Sequence, residues 1–189
     1  MKAWQHLKTV TKHRRLVRQG CFRVGLYWQG ITHDLSKFSP TEFLIGAKYY
    51  QGVRSPNAAE REAKGYSEAW MHHKGRNRHH YEYWTDMNPE TRCYEAIPMP
   101  RKYFVEMVMD RRAACMTYQG AAYRDDSALN YFTRSQERSL MHPQTSRELN
   151  YILTMLAEKG ERETFRYLKD SVLTGKPFPW EPGGEHAEN

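Results

Sequence analysis

A histidine and an aspartate stand side by side at His33 and Asp34, and Lys37 follows three residues later. Such a pair offers a nitrogen and a carboxylate ligand from one turn, and the two carboxylate oxygens can also bridge two metal ions. The Lys37 ammonium can reach a phosphate oxygen held beside that metal. Asp34 and Lys37 are therefore the predicted catalytic residues, and Lys37 is also a predicted substrate contact. A lone His-Asp dipeptide is common, and its alternative interpretation is a surface cap.

Two further residues of metal-binding type lie on apolar helical faces. His13 shares its stripe with Val10, where a histidine is more often a packed residue than a ligand. Asp110 lies among aromatic and aliphatic side chains, and burying an aspartate there is costly unless a cation or metal is its partner. A salt bridge to Arg14 or Arg111 is the alternative for Asp110. Both His13 and Asp110 are predicted metal ligands, together with the His-Asp pair.

The segment 72–80 holds four of the nine histidines. If residues 66–84 form one helix, a first face carries Trp70, His73, Asn77, His80 and Trp84. The neighbouring face carries His72, Arg76, His79 and Tyr83. We predict His73 and His80 as metal ligands, because they share a face with two tryptophans. The predicted substrate contacts are His72, His79, Arg76 and Arg111. A solvated basic surface is the alternative for this segment.

The order of these residues resembles that of the HD-domain superfamily of metal-dependent phosphohydrolases. His-Asp-Leu-Ser-Lys is similar to the His-Asp-Ile-Gly-Lys form that is frequent in that superfamily. The resemblance implies a helical bundle in which a His, an adjacent His-Asp and a later Asp hold the metal between helices. The stretches HDLSKFSPTEF, AWMHHKGRNRHHYEYW and MPRKYFVEMVMD also resemble a poorly characterised family of bacteria and phages, over most of residues 9–150.

The resemblance also bears on the number of metal ions. Two-metal members of the superfamily carry two additional histidines, usually farther apart than His73 and His80 are here. The expected cofactor is one divalent transition metal ion or two, with one ion slightly favoured. The mix of imidazole and carboxylate favours manganese, iron, cobalt, nickel or zinc over calcium. No GYP motif follows, so the cyclic-dinucleotide phosphodiesterase subtype is not expected.

Helical periodicity predominates along the chain, and period-two alternation is scarce. Helices are predicted over 5–18 with an end near Gly20, over 101–119, and over 149–173 with a break at Gly160. Ser39, Pro40 and Glu42 predict a helix start with a reciprocal capping box, and His142-Pro143 predicts another start. Residues 66–84 are predicted as a helix or a helix–turn–helix, and 51–64 and 85–100 as loops.

These elements predict an all-α, single-domain helical bundle over residues 1–173 and an irregular, frayed tail over 174–189. A chain of 189 residues with 39% hydrophobic residues suits one globular domain. The three cysteines have no CxxC spacing, which argues against a disulfide framework. No apolar run approaches a membrane span, and the N-terminus lacks a secretory pattern, so a cytoplasmic protein without membrane contact is expected.

The net charge of +7 favours anionic partners, and the absence of a dense Lys/Arg block indicates that the charge is spread. The leading hypothesis is a metal-dependent phosphohydrolase acting on a nucleotide or another small phosphate ester, with Asp34 or a spare histidine accepting the proton of a metal-activated water. A di-iron oxygenase could use the same ligands. A non-catalytic metal-containing protein that binds nucleic acid or a protein partner is the third hypothesis.

Overall fold

The computed structural model describes residues 1–135 and 140–184, and helices predominate among them. The α-helices are α1 (Lys2–Arg23), α2 (Tyr27–Thr32), α3 (Pro40–Tyr49), α4 (Pro56–Lys64), α5 (Glu68–Lys74), α6 (Arg101–Gln119), α7 (Ser127–Arg134) and α8 (Pro143–Tyr167). Single 3-10 turns lie at Leu35–Phe38, Tyr81–Tyr83 and Gly120–Ala122, and a π-helical turn at Leu168–Val172 extends α8. The prediction of an all-α fold is confirmed.

A two-stranded hairpin lies in the stretch 85–100, which the sequence predicted to be a loop. Its strands β1 (Thr85–Met87) and β2 (Tyr94–Ala96) pair antiparallel, with Asp86 opposite Glu95. Almost every residue of this hairpin is exposed, so no period-two pattern of apolar residues marks it in the sequence. The hairpin lies outside the core and leaves the fold class unchanged.

The helix α6 forms the centre of the core, and its bounds agree with the predicted helix over 101–119. Its residues from Phe104 to Met109 are all buried, because the helix is enclosed by α1, α7 and α8. Polar groups on the covered faces of such a helix lie in the interior. Two acidic residues of α6, Glu106 and Asp110, are therefore held at the centre of the molecule.

The helix α1 runs through Gly20, so the predicted end at this residue is wrong. Gly20 is buried, and a Cβ atom added to it would lie 2.7 Å from the Sδ atom of Met109 on α6. The glycine therefore permits close packing of α1 against α6. Glycine weakens an isolated helix, but tertiary packing outweighs that preference here.

The start of α3 agrees with the prediction, whereas α4 does not. Ser39 accepts a hydrogen bond from the backbone of Glu42, and Pro40 is the first helical residue. The predicted loop over 51–64 is wrong from residue 56 onward, because Ser55 caps α4 and Pro56 begins it. The same Ser-Pro signal therefore starts both helices.

Of the two alternatives predicted for 66–84, one continuous helix is wrong, and the chain breaks after α5 as the helix–turn–helix alternative allowed. The helix α5 ends at Lys74, and Gly75 follows it in a turn. The chain then turns again before the 3-10 turn at Tyr81–Tyr83. The histidines at the two ends of the segment thus come from different elements, and helical spacing does not relate their directions.

The C-terminal region packs more tightly than expected. The helix α8 starts at Pro143, as the His142-Pro143 pair predicted, and it continues into the helix that was predicted separately over 149–173. It is interrupted at Gly160 as predicted, where φ is 73°. Residues 174–184 have no helix, but they are not frayed, because Phe178 is 1% exposed and stacks on Trp180 at 5.0 Å. Residues 185–189 of the predicted tail lie outside the described part. Among the described residues, no helix is both long enough and apolar enough to cross a membrane.

Candidate metal centre

The helices α1 and α6 bring His13 and Asp110 into contact. The Nε2 atom of His13 lies 2.9 Å from the Oδ1 atom of Asp110. The alternative interpretation proposed a salt bridge between Arg14 and Asp110, but Arg14 has other partners. Its guanidinium instead donates to the carbonyl oxygens of Ile31 and His33, at 3.0 and 2.8 Å. Arg14 therefore ties the end of α2 to α1 and helps to hold the turn that carries the His-Asp pair.

Asp34 adopts a left-handed backbone conformation, with φ of 54°, immediately after α2. This conformation is uncommon outside glycine and costs energy, so the surrounding contacts must hold it. The turn points His33 and Asp34 inward together, and both side chains are almost fully buried. A role for the pair as a surface cap is therefore wrong.

Four of the predicted ligands converge in what we name the first cluster: His13, His33, Asp34 and Asp110. The Nε2 atom of His33 lies 3.4 Å from an oxygen of Asp34 and 3.4 Å from an oxygen of Asp110. One ligand atom from each residue lies within 4.8 Å of the others. Ligand atoms about 2.0–2.2 Å from a common ion are separated by up to about twice that distance. The predicted convergence of these four residues is confirmed.

The other oxygen of Asp34 belongs to what we name the second cluster: Asp34, His73, His79 and His80. It lies 3.2 Å from the Nε2 atom of His73 and 3.4 Å from that of His79. The His80 ring packs against the His79 ring, with centroids 4.1 Å apart. Asp34 is thus shared, with Oδ2 facing the first cluster and Oδ1 facing the second.

His79 lies in the second cluster, whereas its position in the sequence predicted a substrate contact. That prediction depended on one continuous helix, which would have turned His79 away from His73 and His80. Because α5 ends at Lys74, the following turns direct His79 inward as well, and it is 1% exposed. His73 and His80, the two predicted ligands of this segment, also face the His-Asp pair.

Two buried carboxylates that are not among the predicted site residues contact the histidines on the side away from the clusters. Glu106 accepts from the Nδ1 atom of His33 at 2.9 Å and lies 3.2 Å from that of His79. Glu42 lies 2.7 Å from the Nδ1 atom of His73 and 2.6 Å from that of His72. A carboxylate that accepts the Nδ1 proton leaves the lone pair of Nε2 available to a metal. For His33, His73 and His79, that Nε2 atom faces the clusters.

Glu42 was predicted as the reciprocal capping partner of Ser39, and that prediction is wrong. Its backbone N–H completes half of the capping box, but its side chain is turned inward to the histidines. For Glu106, a signal existed in the sequence. It stands four residues before Asp110 in an apolar segment, which places both acids on one side of a helix.

Several buried atoms of the clusters make no hydrogen bond of acceptable geometry. They are the Nε2 atoms of His13, His33, His79 and His80 and both carboxylate oxygens of Asp34. Partners of opposite charge lie near, but their directions do not suit hydrogen bonds to one another. Buried polar atoms without hydrogen bonds are destabilising, and a cation between them would satisfy all of them together. The donor set therefore fits one or two metal ions.

The buried charges act on each other strongly. Burial disfavours a charged His33, but the carboxylates around it raise its pKa, and they raise the pKa of His79 to about 10. Burial lowers the pKa of His13 more than Asp110 raises it. Although burial opposes it, the neighbouring histidines hold the pKa of Asp110 well below its usual value. Since metal ligation requires neutral imidazole, an arriving cation must displace protons from His33 and His79.

Lys37 borders the first cluster and faces a cavity of about 580 Å³. Its ammonium lies 2.9 Å from Oδ2 of Asp34, and although burial opposes the charge, the carboxylates raise its pKa. Four cluster residues, His13, His73, His80 and Asp110, also line this cavity.

Two of the predicted substrate contacts, Lys37 and Arg111, line the cavity. Three others do not. Arg76 is exposed and donates to the carbonyl of His72 at 3.3 Å, while His72 itself is held by Glu42. His79 lies behind the cavity in the second cluster. Of the predicted substrate contacts, those that bring positive charge to the cavity are therefore Lys37 and Arg111, and neither lies on α5.

A profile described as a family of unknown function, DUF5662, matches residues 2–155 of the chain. The matched stretch includes both clusters, Lys37 and the two supporting glutamates. No curated protein and no solved structure matches the chain.

Proposed function

The chain belongs to the DUF5662 family, whose function is unknown, and we propose from the site itself that it is a metal-dependent phosphohydrolase. The observation that carries the proposal is the pair of clusters joined by Asp34. Each oxygen of this carboxylate faces a separate group of imidazole nitrogens, and apart from these nitrogens only the Lys37 ammonium is described beside it, 2.9 Å from Oδ2. Such an arrangement favours two ions over the single ion that the histidine spacing favoured. The HD-type resemblance of the His-Asp motif supports the same reaction class.

The residues that would hold the ions are those of the first and second clusters. Divalent ions supply two kinds of chemistry to phosphoryl transfer: they neutralise phosphoryl oxygens and lower the pKa of water toward neutrality. The imidazole-rich donor set favours manganese, iron, cobalt, nickel or zinc. Glu42 and Glu106 would orient the imidazoles, because each accepts the proton of an Nδ1 atom on the far side of a ring.

The side chains around the cavity suit a phosphorylated substrate. Lys37 stays charged and can neutralise a phosphate oxygen at the metal end, and Arg111 adds a second cation to the lining. The sequence predicted Asp34 or a spare histidine as the proton acceptor. Both oxygens of Asp34 face the clusters, so in this proposal the role passes to Asp110. Asp110 lines the cavity, and its Oδ1 atom lies 2.9 Å from Nε2 of His13 and 3.4 Å from Nε2 of His33.

The remainder of the cavity suits the organic part of the substrate. Its volume lies within the range of about 300–1,000 Å³ that is typical of small-molecule sites. Trp70, Tyr118 and Tyr131 contribute aromatic surface to its lining, against which a base or another planar group can stack. We therefore propose a nucleotide or a small phosphate ester as the substrate.

Metal analysis followed by a phosphate-release screen tests this proposal. The freshly purified protein is analysed for metals, and metal-free protein is then loaded with each of the five metals and supplied with nucleotides and simple phosphate esters. We expect phosphate release that depends on metal and is lost in Asp34→Asn. The matched control is Asp86→Asn, which changes an exposed aspartate of the hairpin. Absence of phosphate release with every metal, or oxygen consumption by the iron-loaded protein in its place, would contradict the proposal.

A further inference from the structure

The net charge of the protein is concentrated at its N-terminal end. Seven of the 29 lysines and arginines, and none of the 22 acidic residues, lie within residues 1–33. This stretch therefore carries the whole formal charge of +7, and the rest of the chain is balanced. The interpretation of the charge as spread along the chain is wrong, because acidic residues offset the lysines and arginines after residue 33.

Four of these cations lie on the outer face of α1, at Lys8, Lys12, Arg15 and Arg18. Their spacings of four, three and three residues place them along one side of the helix. Trp4 continues this line at one end and Phe22 at the other, with exposed fractions of 62% and 38%. We name these six residues the basic stripe. From Trp4 to Phe22 it extends about 27 Å, at a rise of about 1.5 Å per residue.

The opposite side of α1 is buried. His6, Val10, His13, Val17 and Cys21 face the core and the cavity. The basic stripe therefore points away from the metal clusters, and a partner on it would not enter the cavity.

The cations of the basic stripe are not neutralised by neighbouring acids. Across residues 1–135 and 140–184, no carboxylate forms an ion pair with any of its four cations, whereas Arg23, which lies beside the stripe, pairs with Glu161 at 2.6 Å. The Lys8 ammonium lies over the Trp4 ring, 5.3 Å from its centroid. Phe22 contacts Tyr27 with centroids 5.3 Å apart, which extends the aromatic surface onto α2.

We propose that the basic stripe binds the phosphate backbone of single-stranded nucleic acid, with its terminal aromatic rings stacking on bases. A row of cations that follows the backbone, combined with exposed aromatic rings, is the combination by which proteins bind single strands without sequence preference. The exposed rings include Tyr27 and Trp28 on α2, at 61% and 72%. This nucleic-acid site lies on a different face of the protein from the metal clusters.

An anionic membrane is less suited to this surface. A helix that lies in a membrane interface inserts its apolar face and keeps its cations at the edges. The apolar face of α1 is already buried in the protein, and cations occupy the middle of its outer face. The partner that fits is one that places phosphates along the middle of the helix.

The test uses the full chain and a fluorescent oligothymidylate of about 20 nucleotides, with fluorescence anisotropy measured over a range of salt concentrations. We expect binding that weakens as salt rises, because each phosphate contact contributes about −0.7 to the slope of log K against log salt. The charge-reversal variant Lys8→Glu/Lys12→Glu/Arg15→Glu should bind at least about tenfold more weakly, with a slope smaller by about 2. Trp4→Ala should weaken binding about tenfold through lost stacking.

The matched control reverses three exposed lysines on other helices: Lys102, Lys159 and Lys169. This control changes the net charge equally and should retain most of the binding. Circular dichroism verifies folding, and a glutamine version of the stripe variant provides a milder change if the glutamate version unfolds. Equal loss in the control, or no binding of the oligonucleotide by the wild type, overturns the proposal. So does binding to phosphatidylserine-containing vesicles without binding to the oligonucleotide.

Discussion

Replacement of Glu106 should weaken metal binding at both clusters, although Glu106 is proposed as a ligand of neither. Its Oε1 atom lies 2.9 Å from the Nδ1 atom of His33 and 3.2 Å from that of His79. One of these rings belongs to the first cluster and the other to the second. Glu106→Ala removes the acceptor that fixes both rings with Nε2 directed inward.

The magnitude follows from these two contacts. Loss of a carboxylate behind a ligating histidine typically costs about 10–100-fold in metal affinity. That range is about 1.4–2.7 kcal/mol, and in Glu106→Ala it should apply once at each cluster. Glu106→Gln retains an oxygen acceptor but loses the negative charge, so its effect should lie near the lower limit. Glu42→Gln should weaken only the second cluster, because Glu42 contacts His73 and the non-ligating His72.

The assay is a competition titration with a chromophoric chelator, together with metal content by mass spectrometry. Glu148→Gln is the matched control, since Glu148 is 4% exposed and hydrogen-bonds to Gln144 away from the clusters. We expect this control to keep both affinities. The supporting role of Glu106 is refuted if Glu106→Ala retains wild-type affinity for both ions, or if Glu148→Gln loses as much affinity as Glu106→Gln.

Four further outcomes are expected. Asp110→Ala should reduce the metal content from two ions to one, because the second cluster keeps all of its ligands. Mass spectrometry measures the stoichiometry, and loss of both ions would show that the two clusters do not bind metal independently. Lys37→Ala should lower phosphate release while metal content stays normal, and unchanged turnover would remove Lys37 from the site. Gly20→Ala should destabilise the fold by about 1–3 kcal/mol in urea denaturation, because the new Cβ would lie 2.7 Å from Met109; a smaller loss would mean that this side chain moves aside. Burial lowers the pKa of His6 to about 4, so the unfolded chain binds the proton more readily between pH 6.5 and 4, and the stability of the fold must decrease as the pH decreases through that range. His6→Leu should therefore retain up to about 3 kcal/mol more of its stability at pH 4 than the wild type, and parallel curves of stability against pH would contradict this.

Much of the fold could be predicted because its helices carry local signals. The periodicity of residues 101–119 and the Ser-Pro caps depend on neighbouring residues only. The start of α4 was misjudged although Ser55 and Pro56 gave a local signal, whereas other misjudged positions depend on distant contacts. Gly20 resembles a helix end until Met109 is placed against it. Similarly, Phe178 lies in a segment rich in proline and glycine, which resembles a loose tail. Its burial against the core becomes evident only in the folded structure.

The ligands of the first cluster could be predicted because each stands out as a polar residue within an apolar stripe or a motif. The second cluster depends on the turns after α5, and side-chain contacts of longer range fix those turns. Asn77 donates to the carbonyl of His73 at 2.8 Å and to Ser36 at 2.8 Å, which ties the turn to the segment after Asp34. Trp84 donates to the carbonyl of Arg78 at 2.7 Å, which holds the C-terminal end of the same segment.

Glu42 and Glu106 illustrate a further limit, because the same sequence pattern has two outcomes. A glutamate three residues after a serine commonly hydrogen-bonds back to the backbone at the helix start, and the net contribution of such a bond in water is about 0.5–1.5 kcal/mol. Near His72 and His73, the Glu42 carboxylate instead meets two buried imidazoles, and charge-assisted hydrogen bonds in a buried site are stronger. The choice between the two positions thus depends on what α5 places opposite α3. Once Glu42 is turned inward, it fixes the direction of His73, so the supporting acid and the ligand determine each other's orientation.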